Sequence, residues 1–324
     1  MGRQSFAAVE HASFTLDEGR TLALVGESGC GKTSIALALL RLTPPQAKIT
    51  ADAVSLRGRD LTRLSEREMC AVRGKDAAMV FQDPLTALNP VYTVGEQIAE
   101  GLRLHERLGR AAAWDRAVEA MHEVGIPDAR RRAREYPHQL SGGLRQRVTI
   151  AQAIACRPAL LIADEPTTAL DVSLQAQIID LLLKLQADLR LSILLITHDL
   201  GVVAEMAHDV AVMYAGQIVE QADVKSLFAR PLHPYTRGLL LSVPGLGPED
   251  GRAPGDRKLR CLEGTVPDLA HLPPGCRFAP RCPYAIEPCE EPQQLREVEP
   301  GRPVRCWRAL ETLPAETSER ITQA

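Results

Sequence analysis

Aromatic residues make up only 4% of this 324-residue chain, and neither sign of charge dominates, with 38 Lys and Arg against 41 Asp and Glu and a formal net charge of −3. That balance argues against a surface built chiefly to grip nucleic-acid phosphates. Long apolar runs are missing too. The best candidate, Ile178 to Thr197, is broken by Asp180, Lys184, Asp188 and Arg190, so no segment reads as membrane-spanning. The N-terminus, Met1-Gly2-Arg3-Gln4-Ser5-Phe6, lacks the apolar core of an export signal, which makes the cytoplasm the expected compartment. No repeat or low-complexity tract is present. What remains, 45% hydrophobic and 24% charged residues, is ordinary for a globular chain, with length for about two domains.

Cysteine and proline are scarce until late. From Pro231 onward, the last 94 residues hold 15 of the 23 prolines and five of the eight cysteines: Cys261, Cys276, Cys282, Cys289 and Cys306. A second, loop-rich unit is expected to begin there. In a reducing compartment such a cluster points to a metal or iron–sulfur site rather than to disulfides.

Five short apolar runs read as strands: Thr21–Val25, Ala77–Phe81, Ala159–Ala163, Ser192–Ile196 and Asp209–Tyr214. They are near-continuously apolar, as strands buried on both faces of a parallel sheet must be. Helical patterns lie between them, including Lys32–Leu42 and Ser173–Arg190, the latter with Ser173 as its expected N-cap. The alternation predicts α/β architecture with ligands at the carboxyl ends of the strands. Between Asp83 and Cys156 helices replace strands, which predicts a helical insertion.

Gly26-Glu27-Ser28-Gly29-Cys30-Gly31-Lys32-Thr33 follows one strand and opens a helix, the context in which G-x-x-x-x-G-K-[ST] binds phosphate. Backbone N–H groups would turn inward around phosphate oxygens, Lys32 would reach the β- and γ-phosphates, and Thr33, followed by Ser34, would hold magnesium. Asp164 and Glu165 emerge from an apolar strand. The first suits magnesium and the second suits orienting or deprotonating an attacking water.

Leu140-Ser141-Gly142-Gly143 then resembles the signature motif of the ATP-binding-cassette ATPases, with Leu144 where that family usually has glutamine. The resemblance implies a phosphate-loop core with a parallel sheet and a helical signature subdomain, spanning about residues 85–156. It further implies that two such subunits sandwich two ATP molecules, with Ser141, Gly142 and Gly143 facing the partner's γ-phosphate. Gln82 resembles the family's hinge glutamine and magnesium sensor, Ala169-Leu170-Asp171 the loop crossing the dimer interface, and His198 the switch histidine at the γ-phosphate. Only 25 residues precede Gly26, so the strand that usually carries the adenine-stacking aromatic is expected to be missing or shortened. Phe6 is the nearest substitute, with core packing as its other reading.

Pro231-Leu232-His233-Pro234-Tyr235-Thr236-Arg237 and Gly275-Cys276-Arg277-Phe278-Ala279-Pro280-Arg281-Cys282-Pro283 resemble the C-terminal extension of ATPases serving oligopeptide, dipeptide and nickel importers. This implies a nucleotide-binding domain over 1–230 and an extension over 231–324. Cys276, Cys282, Cys289 and Cys306 are spaced C-x5-C-x6-C-x16-C, and some relatives are thought to hold a 4Fe-4S cluster there. Zinc is the runner-up, and four reduced, buried thiols are the third reading. Cys70, Cys156 and Cys261 read as ordinary buried or loop cysteines.

Together these expectations describe an Mg2+-dependent ATPase on the cytoplasmic face of the cell membrane. It would energise import of peptides or related small solutes through two separate transmembrane permease subunits, beside a second ATPase (a copy or a paralogue), in a system with an extracytoplasmic solute-binding protein and no nucleic acid. The alternatives are an importer ATPase for nickel or another non-peptide solute, and a soluble cassette ATPase acting on DNA or ribosomes.

Overall fold

The computed structural model describes residues 6–168, 170–243 and 262–311. Two compact units divide the chain, one of residues 14–209 and one of 1–13 with 210–324. In the first, the apolar run β1 (Thr21–Val25) is wholly buried and leads through a glycine loop into α1 (Lys32–Leu39). A small antiparallel pair, β2 (Ser55–Leu56) and β3 (Arg59–Asp60), precedes α2 (Glu66–Val72). That helix opens on a capping box: Ser65 Oγ accepts from the Glu68 N–H while the Glu68 carboxylate accepts from the Ser65 N–H. With β4 (Ala77–Val80), β5 (Leu160–Asp164) and β6 (Ser192–Thr197), β1 forms a parallel run ordered β4-β5-β6-β1. All six residues of β6 are buried, as a strand covered on both faces requires.

From β4 to β5 the chain is helical, through α3 (Pro84–Ala87), α4 (Val94–Glu106), α5 (Arg110–Glu123), α6 (Ala129–Arg132) and α7 (Gly142–Ile154). Ile98 and Leu102 of α4, Ala117 and Met121 of α5, and Val148 and Ile150 of α7 share one buried core. The four-residue steps in α4 and α5 put one stripe of each helix inward, whereas α7 is buried on more than one side, at Val148, Thr149, Ile150 and Ala151. After β5, α8 (Val172–Leu189) returns to β6, and α9 (Leu200–Met206) follows. The expected cap of α8, Ser173, lies within its first turn. Asp171 caps instead, its Oδ1 accepting from the Leu174 N–H at 2.9 Å, because that carboxylate stands just outside the first turn and within reach of its third N–H.

In the second unit, β7 (Asp209–Tyr214), β8 (Gln217–Asp223), β9 (Arg296–Glu299) and β10 (Arg302–Val304) neighbour one another in the order β7-β8-β10-β9, with β10 antiparallel to both of its neighbours. Short helices α10 (Val224–Ala229) and α11 (Pro234–Leu241) follow β8. The scarce aromatics concentrate here. Tyr214, Tyr235 and Phe278 are fully buried, with ring centroids 4.6, 5.3 and 5.4 Å apart. Such pairs contribute about 0.5–1.5 kcal/mol each beyond area burial. Glu220 is wholly buried and accepts from the N–H groups of Leu232 and His233 at 2.8 and 2.9 Å, and it pairs with Arg302 at 3.2 Å. One buried carboxylate thus ties β8 to β10 and to the turn before α11.

Candidate functional site

In the first unit the polar side chains collect at the carboxyl ends of parallel strands. Gly26, Glu27, Ser28, Gly29, Cys30 and Gly31 form the loop after β1, and Lys32, Thr33 and Ser34 open α1. Gly31 caps α1 at φ 102°, a conformation any side chain would strain, and no side chain caps the helix. The first-turn N–H groups are thereby left for an anion. Lys32 is 6% exposed and folds back into the loop, donating to the Gly26 and Glu27 carbonyls at 2.7 and 3.0 Å. Cys30 is buried, and burial pushes its thiol up.

Across from this loop, Thr33 Oγ1 donates to Asp164 Oδ1 at 3.3 Å. Asp164 is 2% exposed, and burial, aided by the charge of Glu165, raises its carboxyl pKa against the opposing pull of Thr33 and Lys32. A buried carboxylate held by one long hydrogen bond favours a cation, and Thr33 and Asp164 fit magnesium on that chemistry. Glu165 follows in the left-handed region at φ 46°, which costs about 1–3 kcal/mol in a non-glycine residue. Its side chain is over-determined. Oε2 accepts from Gln82 Nε2 at 2.9 Å and from Thr168 Oγ1 at 2.8 Å, while Oε1 lies 3.1 Å from His198 Nδ1. Burial pulls the Glu165 carboxyl up, but hydrogen bonds from Thr168 and His198 and the charges of His198 and Lys32 outweigh it, so the net shift is downward.

Four sequence-distant stations, Lys32 with Thr33, Gln82, Asp164 with Glu165, and His198, therefore meet at one place. Thr168 was not foreseen, although a threonine three residues beyond Glu165 is a local signal for such a contact. Ser141 stands apart from this network: it is exposed, and its Oγ caps α7 by accepting from the Leu144 N–H at 3.4 Å. Gly143 is buried, and a Cβ there would press on the Leu174 side chain at 3.1 Å, so glycine lets α7 approach α8 closely. Asp171 is exposed at the start of α8, and its neighbour Ala169 lies outside the described residues. Phe6 is 57% exposed and belongs to the other unit.

The family model described as "ABC transporter" matches residues 9–168, and the one described as "Oligopeptide/dipeptide transporter, C-terminal region" matches residues 219–289. The oligopeptide transport ATP-binding protein AppD of Bacillus subtilis is 49% identical over 308 residues, 94% of this chain and 92% of that protein. The chain belongs to the ABC transporter ATPase family. A second relative, named probable peptide ABC transporter ATP-binding protein y4tR, from Sinorhizobium fredii, is 51% identical over 94% of this chain and 90% of its own length. Among solved structures, the ATP-binding cassette MJ0796, a dimer in a post-hydrolysis state bound to ADP and Pi, matches with a TM-score of 0.61 and 27% identity, over 69% of this chain and 94% of that one. The ABC ATPase fold and ATP as the substrate of this family's chemistry thus stand on both sequence and structure.

In the second unit, Cys276, Cys282, Cys289 and Cys306 line one small cavity with His233 and Gln293. Lining is not ligation, however. Among the described residues no group of three or more His, Cys, Asp or Glu side chains is drawn together as a metal-holding set. The expected 4Fe-4S cluster, and zinc as its runner-up, thus have four thiols on one cavity but no metal-holding group among the described residues. Burial pushes the Cys276 thiol up, the Cys282 thiol up to about 11 and the Cys306 thiol up to about 12, with the neighbouring cysteines adding to the shift. Backbone contact sets the spacing: Cys276 N–H donates to the Cys289 carbonyl at 2.8 Å, and a Cβ on Gly275 would run into the backbone of Cys289 and Glu290. Cys70 is exposed and Cys156 half-buried, while Cys261 lies outside the described residues.

Proposed function

We propose that this chain hydrolyses ATP to drive import of peptides or related small solutes through separate permease subunits, as one of a pair of cassettes. The observation that carries the chemistry is the convergence of Gln82, Thr168 and His198 on Glu165 beside the phosphate loop. Lys32 and the amides of the loop from Gly26 to Ser34 bind phosphate oxygens, and Thr33, Asp164 and Gln82 hold magnesium, which would neutralise charge on the β- and γ-phosphates. Glu165 takes or orients the proton of the attacking water. In this structure both its oxygens are engaged by its own chain, so it acts only once Gln82 and His198 turn toward nucleotide. Ser141, Gly142, Gly143 and Asp171 would meet ATP held by the facing subunit, and the exposure of Ser141, Gly142 and Asp171 supports the pairing.

Residues 1–230 make up the nucleotide-binding domain, with its helical part at about 85–156, and 231–324 the importer-type extension. Among the described residues no helix is long and apolar enough to cross a membrane, in keeping with separate permease subunits, and the chain's seat in this reading is the cytoplasmic face of the membrane. An extracytoplasmic solute-binding protein completes the system. In the extension, four thiols on one small cavity supply the donor type of a four-thiolate centre, which suits an iron–sulfur cluster and zinc alike. The resemblance of this extension to importer ATPases thought to hold a 4Fe-4S cluster favours that cluster ahead of zinc, as a staple for a proline-rich unit.

The test is uptake of labelled oligopeptides by cells deleted for this chain. Wild type restores uptake and Lys32→Ala does not, and an affinity-tagged chain brings down its permease subunits. Unchanged uptake after deletion, or recovery of ribosomes or DNA in place of membrane subunits, overturns the proposal.

A further inference from the structure

Gln175 stands at the opening of α8, and its side chain reaches across to the turn that carries His198. Its Nε2 donates to Asp199 Oδ2 at 2.9 Å. Asp199 is engaged on every side: Oδ1 accepts from the N–H groups of Gly201 and Val202 at 2.8 and 3.3 Å, capping α9, and its own N–H donates to Thr197 Oγ1 at 3.0 Å. His198 therefore sits between two anchored neighbours, Thr197 buried at the end of β6 and Asp199 pinned from both α8 and α9. Its backbone is held, while its side chain, 62% exposed, has room to turn away from Glu165.

The other end of this tie is the surface that would meet a second cassette. Asp171 Oδ1 accepts from the Leu174 N–H, and the Asp171 carbonyl accepts from the Gln175 N–H, both at 2.9 Å, so Asp171 and Gln175 move as one turn of α8. The signature helix α7 is keyed to the same stretch. A Cβ on Gly143 would stand 3.1 Å from the Leu174 side chain, and Arg147 donates to Gln177 Oε1 at 3.1 Å. Glu165 is thus reached from both sides of the segment that joins β5 to α8: Thr168 donates to it from within, at 2.8 Å, and His198 meets it through Asp199 and Gln175 from the far end. A contiguous chain of hydrogen bonds ending on a side chain with two arrangements is what energetic coupling between sites requires.

We propose that Gln175 is a positioning residue for ATP hydrolysis: by holding Asp199 it fixes the turn from which the His198 ring swings between Glu165 and nucleotide, and it ties that turn to the partner-facing start of α8. The inference rests on the hydrolytic reading above. It concerns the chemical step and not the capture of ATP, because phosphate binding is left to Lys32 and the loop before α1.

Three forms of the full-length chain separate positioning from a simple staple between α8 and α9. Gln175→Leu keeps the bulk and loses the donor. Gln175→Glu sets a second carboxylate against Asp199. Adding Asp199→Asn to Gln175→Glu restores one amide-to-carboxylate hydrogen bond in the reverse sense and leaves an amide oxygen to cap α9. Turnover and KM for ATP are measured on the complex recovered with each tagged chain, and melting on the purified chain. Gln175→Leu and Gln175→Glu should each lower kcat about tenfold with KM and melting close to wild type, and the double substitution should bring kcat back to within about threefold of wild type. Unchanged kcat in Gln175→Leu, no recovery in the double substitution, or a KM that moves as far as kcat overturns the positioning role and leaves the hydrolytic reading standing. A wild-type complex that binds ATP without hydrolysing it overturns the hydrolytic reading, and the positioning role with it.

Discussion

Charge in the nucleotide-binding unit and charge in the C-terminal unit are handled in opposite ways. Around the phosphate loop, Glu165, Gln82 and His198 sit at open strand ends, hydrogen-bonded to one another but within reach of a ligand. In the C-terminal unit the comparable groups are sealed: Glu220 is 0% exposed, and Arg302 and His233 are nearly so. The first arrangement is exchangeable, since each hydrogen bond can be traded for one to nucleotide. The second is fixed, since breaking any of its bonds strands a charge away from water. The two networks thus use similar residue types, and what distinguishes the nucleotide-binding one is that Gln82, Glu165 and His198 stay accessible beside the buried Lys32 and Asp164.

The largest expected effect breaks the comparison at its catalytic end. Glu165→Gln keeps the shape and the contacts of the side chain but removes the base, so ATP turnover should fall about 10²–10⁴-fold with nucleotide affinity kept by Lys32 and the loop. Steady-state hydrolysis alongside equilibrium ATP binding reads both quantities. Turnover near wild type would remove Glu165 from the mechanism.

Next comes the sealed end. Glu220→Ala leaves Arg302 and the N–H groups of Leu232 and His233 without their shared acceptor. Truncating one partner of a buried pair costs about 3–5 kcal/mol, which should appear as a fall of roughly 10 °C in the C-terminal thermal transition. ATP affinity should stay unchanged. The double change Glu220→Leu with Arg302→Met should recover most of the loss, and failure to recover it would mean that the network does more than neutralise itself.

How much of this was legible in the sequence follows the same divide. The residues proposed for catalysis lie in short contiguous motifs next to apolar strands, so Gly26–Thr33, Asp164–Glu165 and His198 stand out in the sequence itself, and the parallel run of strands came with them. The C-terminal unit offers no such syntax. Glu220 meets Leu232 and Arg302 across 12 and 82 residues, and nothing local marks a glutamate in an apolar strand as buried rather than edge-exposed. The four cysteines were visible as a cluster, but their meeting along one cavity depends on backbone packing such as that at Gly275. The contact of Thr168 with Glu165 was missed, and the cap of α8 was placed two residues late, at Ser173 instead of Asp171, because caps are chosen by backbone geometry that residue type only biases.

The smallest effects compare two aspartates doing the same local job, one in each unit. Asp171 caps α8 through the Leu174 N–H, and Asp171→Ala should cost about 0.5–2 kcal/mol by chemical denaturation. If the pairing of cassettes is as proposed, it should also weaken the concentration dependence of ATP turnover. Asp223 caps α10 through the Ser226 N–H at 3.0 Å, and those Ser226 hydrogen bonds hold its carboxyl below the usual range. A carboxyl lowered in the folded state stabilises it at neutral pH, and that stabilisation disappears as pH falls through the lowered value. Asp223→Asn keeps the cap without a titrating group. The variant should match wild type at pH 7 and lose less C-terminal stability between about pH 5 and pH 3. Parallel acid curves for the two proteins would show that this exposed cap, unlike the buried Glu220 network, carries no electrostatic share of the unit's stability.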